Sequence, residues 1–258
     1  MGDSLILKYS KANAKITALQ AIPSLQPYLA HKRKVYSFDL LSGHSCPFAL
    51  ECLAKVVVDA GGKRTIIDGK WAQHRCFSGS TEVQYPSVYA LRKGNFDLLR
   101  TLDRKRIAEA LQDAMPKNLG IARLHVGGDL FKPAYLQAWI DVAQSHKDRL
   151  FYAYTKSIRY WVTHRQRIES TPNLVLTASY GGRDDSLIDE HGLRSVRVVY
   201  TEQEASDQGL PIDHDDSHAA DPTQRDTSFA LLIHGVQPAG TPAAAAKQAL
   251  QGKGSYSR

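Results

Sequence analysis

The sequence predicts a single α/β domain with a mainly parallel sheet and helical crossovers, wound into a partial (β/α) barrel. Two observations predict it. From Ile121 onward, short β-rich runs alternate with runs of helical periodicity, and a β-α-β-α order demands parallel strands joined by crossovers. The length of 258 residues falls in the range in which α/β barrels and open α/β sheets occur as one domain. Hydrophobic residues at 43% and charged residues at 23% supply an ordinary core and argue against a disordered or fibrous chain.

Residues 1–34 are mixed in pattern and carry Pro23 and Pro27, which predicts an N-terminal arm with little regular structure. The α/β domain is expected over residues 35–239. Val35 to Leu41 reads as a strand running into a loop at Ser42-Gly43. Pro47 suits a first helical turn, and Ala49 to Val58 continues a helix that Gly61-Gly62 would stop. Arg64 to Ile67 reads as a short strand with a turn at Asp68-Gly69. Phe96 to Met115 has the spacing of one or two helices, with Leu98, Leu99, Leu102, Ile107, Ala110 and Leu111 apolar. Then follow strand Ile121 to Val126, helix Tyr135 to Gln144, strand Leu150 to Tyr154, helix Ile158 to Ile168 and strand Asn173 to Ala178. Helix Ser186 to Glu190, strand Ser195 to Tyr200 and strand Phe229 to His234 complete the domain. Residues 240–258 form a basic tail, with a short helix capped at Gly-Thr-Pro and ending at Gly252.

Lysine and arginine exceed aspartate and glutamate by 33 − 26 = 7, with clusters at His31 to Lys34, Arg100 to Arg106 and Arg159 to Arg167. Such a surplus favours anionic partners, nucleic acid first, although solvated helix faces give the same pattern. With no apolar run of roughly 18 to 20 residues and no secretory pattern at the start, the expectation is a cytoplasmic protein without a membrane partner. Three cysteines cannot all pair with one another, which argues against a disulfide scaffold.

In parallel α/β folds functional groups gather at the carboxyl ends of the strands. Cys46 and Cys52 follow the first predicted strand and Cys76 comes later, a C-x5-C-x23-C spacing unlike zinc-finger or redox pairs. Three thiolates can hold a [4Fe-4S] cluster with one iron open. With His44 or His74 they could instead close a zinc site, and three inert buried cysteines are the remaining alternative. Later strands end in His125-Val-Gly127-Gly128-Asp129, in Tyr154-Thr155-Lys156-Ser157 and in Ser179-Tyr-Gly181-Gly182-Arg183. Glycines there allow close approach of a ligand, and Asp129 could hold an ammonium or a ribose hydroxyl. Asp213, His214, Asp215, Asp216 and His218 concentrate ligands for a divalent metal, or they cap backbone amides.

The runs Cys46-Pro with Cys52, His74-Arg-Cys76-Phe, Tyr85-Pro-Ser-Val, Asn95-Phe-Asp-Leu-Leu, His125-Val-Gly-Gly-Asp129, Phe151-Tyr-Ala-Tyr-Thr-Lys156, Ser179-Tyr-Gly-Gly-Arg183 and His214-Asp-Asp-Ser-His218 resemble the phage and mobile-element family gene product eighty-eight. That resemblance runs from about Ser37 to the C-terminal Gly-Lys-Gly-Ser-Tyr and implies no particular activity. More distantly, a cysteine loop after the first strand and Gly-Gly-acidic after the second resemble the radical S-adenosylmethionine (SAM) enzymes. This likeness implies a partial barrel with Cys46, Cys52 and Cys76 as cluster ligands, and Gly127, Gly128 and Asp129 on the amino group of SAM. Thr155, Ser179, Tyr154, Lys156 and Arg183 would line the pocket, and an electron donor would be a partner. Cys76 lies farther away than that superfamily's compact triplet, and Asp129 stands where glutamate is usual.

Three functional expectations follow. One is a radical-SAM-like iron–sulfur enzyme, acting on nucleic acid or a nucleotide. Another is metal-dependent phosphodiester hydrolysis at Asp213 to His218, with Lys156 or Arg183 stabilising phosphate charge. The third is a non-catalytic phage or plasmid regulatory protein that binds nucleic acid.

Overall fold

Alternation along the strands of residues 6–250, the part of the chain described in this computed structural model, gives the sheet two different faces. In the strand Leu150–Thr155, Leu150, Tyr152 and Tyr154 join one cluster while Phe151 and Ala153 join another, as the two-residue period of a strand requires. The second cluster is the helix-covered side, where Trp139 packs between Phe38 and Phe151. The first is the inner face, closed by Ile16, Leu19 and Leu25 of the N-terminal arm and by Ala219 and Ala220.

In chain order the elements are β1 (Ser10–Lys11), α1 (Ala14–Thr17), α2 (Gln26–Leu29), β2 (Lys34–Phe38), β3 (Ala54–Val58), β4 (Arg64–Asp68), α3 (Phe77–Gln84), α4 (Pro86–Leu99) and α5 (Arg104–Asp113). There follow β5 (Leu119–Leu124), α6 (Pro133–Ser145), β6 (Leu150–Thr155), α7 (Ile158–Thr163), α8 (Arg165–Glu169), β7 (Leu174–Ser179) and α9 (Asp185–Glu190). The rest are β8 (Ser195–Val199), α10 (Glu202–Asp207), α11 (Ser217–Ala220), β9 (Phe229–Leu232) and α12 (Pro242–Ala249). The main sheet runs β1-β2-β5-β6-β7-β8-β9, with only β1 antiparallel. Its parallel strands therefore lie side by side in chain order, a curled half-barrel of the predicted α/β class.

Several local expectations are corrected. Ala49 to Val58 is not a helix: the chain turns through Cys52 and then forms β3, antiparallel to β4. Three consecutive valines favour a pleated strand once a partner is available. Gly61-Gly62 forms the hairpin turn, with the Asp59 carboxylate accepting from the Gly61 and Lys63 amides. Phe96 to Met115 divides after Leu99, because Asp103 caps α5 by accepting from the Arg106 amide at 2.9 Å. Ile158 to Ile168 breaks at His164. The N-terminal arm is more regular than expected, with β1 on the sheet edge and short helical turns beneath the inner face. The helices α3, α10 and α11, too short or too polar to show a clear period, escape the sequence reading. In the tail α12 begins at the Thr241 cap as expected, while residues 251–258, with the expected stop at Gly252, lie outside the described residues.

A buried charge network holds the inner face together. The Asp216 carboxylate is fully buried and accepts from Arg123 Nη1 at 2.5 Å, Tyr152 Oη at 2.9 Å and Tyr154 Oη at 3.2 Å, with Lys15 Nζ at 2.5 Å. Burial alone would raise the Asp216 pKa, but the charges of Arg123 and Lys15 hold it well below the usual carboxylate range. A depressed folded-state pKa gives stability that is complete above the unfolded value of about 3.9 and is lost as pH falls through the folded one. Asp216→Asn should therefore cost about 3 to 5 kcal/mol at pH 7, since it strands the buried Arg123 charge. Urea unfolding of the variant should also lose less stability than the parent between pH 5 and pH 2, and an equal loss would show that Asp216 does not carry this dependence.

Candidate functional site

The cysteine loop leaves β2 and crosses the carboxyl ends of the parallel strands. It is fastened at both ends. Near β2, the Leu40 amide donates to Gly127 O at 2.8 Å, and Gly43 lies so close to Ala54 that a Cβ would sit 2.2 Å from its carbonyl oxygen. At the far end, the amides of Leu50 and Glu51 both donate to Gly181 O at 3.0 Å, and the Arg183 amide donates to Phe48 O at 2.9 Å. The glycine pair of the β7 loop thus serves chain-to-chain contact: a Cβ on Gly181, with φ at +91°, would lie 2.7 Å from Glu51 Oε2.

The 23-residue gap before Cys76 is filled by the β3–β4 hairpin. Antiparallel pairing returns the chain to where it left, with Ala54 opposite Asp68. The Gly69 amide bonds to Leu53 O, and those of Gln73 and His74 bond to Glu51 O. A separation that looks long in sequence is short in space. Cys76 then stands at the N-cap position of α3, where the backbone amides of Ser78 and Gly79 favour negative charge on its sulfur. All three cysteines are free and half-buried.

Their thiols sense one another. Burial pushes the Cys46 thiol well up, followed by the charges of Asp129, Cys76 and Cys52. Burial and then Cys52 push Cys76 up to about 12, against the α3 amides. His74 lies within reach of the Lys156 charge: burial and that charge lower its pKa to about 4, so its ring is neutral at physiological pH. His44 faces the hairpin, its Nε2–H donating to Val56 O at 2.9 Å.

The Gly-Gly-Asp turn is positioned by Asp39, whose Oδ1 accepts from the Val126 amide at 2.6 Å while Oδ2 accepts from Ser37. Both glycines permit packing: a Cβ would come within 2.2 Å of Ser78 Oγ at Gly127 and 2.6 Å of Leu40 Cβ at Gly128. The absence of side chains here admits the close approach of α3 and the cysteine loop. Asp129 Oδ1 accepts from Thr155 Oγ1 and the Leu130 amide, both at 2.6 Å, and Oδ2 accepts from the Lys156 amide at 2.9 Å. Burial nevertheless raises its pKa, opposed by those bonds and by the Lys156 charge. Lys156 Nζ donates to Ser179 Oγ at 2.8 Å, to Ser179 O and to Tyr180 O, tying β6 to β7.

Two expected pocket residues lie elsewhere. Tyr154 points into the inner face toward Asp213 and Asp216, and Arg183 is exposed. The Asp213 to His218 segment serves the fold. Asp213 and Asp215 accept from the amides of Asp215 and Ser217, Asp216 belongs to the buried ion pair, His218 packs on Phe229, and His214 is exposed. Among the described residues, no three His, Cys, Asp or Glu side chains form a group able to hold a single metal ion.

Asp39, Glu51, Glu82 and Arg92 shape the site without a sequence signal of their own. Glu82 is fully buried, accepting from the Ser42 amide and hydroxyl and from Arg92, which also donates to Ser78. This cluster joins α3 and α4 to the start of the cysteine loop. Neither helical position is predicted from the sequence, and nothing in it pairs Glu82 with Ser42, 40 residues upstream.

A conformational test separates the two roles of glycine here. Gly128→Ala, at φ +97° and against Leu40 and Ser45, should cost about 2 to 4 kcal/mol through backbone strain and overpacking. Gly94→Ala, in the open middle of α4, should be neutral or stabilise by about 0.5 to 1 kcal/mol. Similar urea midpoints for the two variants would show that the turn at Gly128 is not built around this contact.

Comparison with known proteins places this architecture. The chain aligns with the Gene 88 protein of Mycobacterium phage L5, 30% identical over 138 residues covering 50% of each chain. It also aligns with the Gene 88 protein of Mycobacterium phage D29, 29% identical over 123 residues covering 44% of this chain and 43% of the other. The chain spans about half the length of the curated relatives it matches. No solved structure matches. The family model described as Gene product 88 matches residues 6–252, so the chain belongs to that family.

Proposed function

We propose that this member of the Gene product 88 family is an iron–sulfur protein. Cys46, Cys52 and Cys76 would hold a [4Fe-4S] cluster, and Asp129 beside them would take an amino-acid head group, that of SAM as first candidate. The observation that carries the reading is the hairpin between Cys52 and Cys76, which gathers a dispersed C-x5-C-x23-C set at the mouth of a half-barrel. The thiols of Cys46, Cys52 and Cys76 feel one another's charge, and three thiolates are enough to hold such a cluster.

When bound, such a cluster supplies one-electron chemistry and an open iron, and an electron donor would be its partner. The protein's own residues set the surroundings. The amides of Ser78 and Gly79 stabilise negative charge on the Cys76 sulfur. Asp129 uses three of roughly four acceptor positions on its carboxylate, leaving one for an ammonium group. The neutral His74 ring at the rim can accept a proton or act as a further ligand. The cysteine loop, bonded to the β7 loop, limits access of water from that side.

Anaerobic purification with iron and sulfide analysis tests the proposal. About four irons and four sulfides per chain are expected, and they should be lost in the Cys46→Ala, Cys52→Ala, Cys76→Ala variant. Adding SAM should change the electron paramagnetic resonance spectrum, less so in Asp129→Asn. One zinc, or no metal in protein prepared under iron-replete conditions, would sink the cluster reading. A cluster indifferent to SAM would sink only the choice of ligand.

A further inference from the structure

We propose that the β3–β4 hairpin is a binding arm for single-stranded nucleic acid, independently of what the cysteines hold. The hairpin does not belong to the main sheet. Its inner face, with Ala54 and Val56 buried, packs against α3. Register puts Lys55 opposite Ile67 and Val57 opposite Thr65, so these four side chains share the other face. That face is open: Lys55 and Thr65 are exposed, Ile67 is 58% exposed, and Trp71 beyond β4 is 65% exposed.

Charge selects the partner. Residues 54–72 carry Lys55, Lys63, Arg64 and Lys70 against Asp59 and Asp68, a balance of 4 − 2 = +2. Both acids are engaged, Asp59 in capping the turn amides and Asp68 in a bidentate bond to Arg75. Lys55, Lys63 and Lys70 are in no ion pair among the described residues, and Lys70 Nζ lies 4.8 Å from the centre of the Trp71 ring. An exposed indole with unpaired ammonium groups on and around an open strand face suits phosphates along a backbone and a base stacked on the ring. Stacking of this kind needs a base face that a duplex hides, so the partner is single-stranded. Because the hairpin stands between Cys52 and Cys76, a strand held on it would lie beside the mouth of the half-barrel.

The test uses fluorescence anisotropy of a labelled single-stranded oligonucleotide with the full chain, across a salt series. Lys55→Glu, Lys63→Glu, Lys70→Glu together should reduce the slope of log affinity against log salt by about 2, at about 0.7 per phosphate contact. Trp71→Ala should weaken binding by about 5- to 150-fold, the range that loss of one stacked base gives. Both variants alter exposed side chains, so an unchanged thermal midpoint and circular dichroism spectrum are required alongside. Quenching of tryptophan emission by the oligonucleotide, lost in Trp71→Phe, would support the same face directly. An equal loss on changing Lys105→Glu and Arg106→Glu on α5 would overturn the assignment. So would duplex DNA binding as tightly as the single strand, or an acidic peptide displacing the oligonucleotide at equal concentration.

Discussion

The carboxylate of Asp216, buried inside the sheet, is the point on which the inner face depends. It meets Lys15 from the N-terminal arm, Arg123 from β5 and two tyrosines from β6. A charge this deep is tolerable only when paired and hydrogen-bonded, so its partners cannot move independently. Arg123 in turn reaches His125 O through Nε, which links the ion pair to the turn that carries Gly127 to Asp129. The Asp213 to His218 segment, rich in metal-ligating residue types, is therefore used to close the half-barrel from within.

Above that layer, the mouth is organised by loops that fasten to one another. Asp39 and the backbone of Gly181 each join the β2–β5 connection to another loop, Glu82 ties α3 to the start of the cysteine loop within that connection, and glycines sit where segments approach most closely. This explains why three successive strands end in glycine and polar residues. Their first task is to bring the cysteine loop, α3 and the β7 loop into one surface. Asp129, Thr155, Lys156 and Ser179 do come together, but mostly as one another's partners. The proposed ligand contacts at the mouth are the thiols, the remaining acceptor position of Asp129 and the neutral His74.

The hairpin gives the arrangement its particular character. It brings Cys76 back to Cys52, and its outer face carries charge and exposed apolar surface that the core does not use. The proposed cysteine site and the proposed nucleic-acid arm are separable, and their adjacency follows from a single hairpin in one loop of a βα unit, where such folds place variation in function.

The sequence by itself determined the α/β class, the succession of parallel strands along the chain and the placement of Cys46, Cys52 and the Gly-Gly-Asp turn after strands. These follow from local hydrophobic period and from the rule that βα connections cross one way. It misassigned Ala49 to Val58, because a short apolar run is compatible with helix or strand until a partner strand is known. Only the tertiary structure decided that Cys76 lies near Cys52, that Asp216 is paired and buried, and that Lys156 is committed to β7. Each of those outcomes is set by residues 20 to 200 positions away in the chain, through antiparallel pairing, loss of solvent and the satisfaction of buried charge. A local pattern carries no record of such partners.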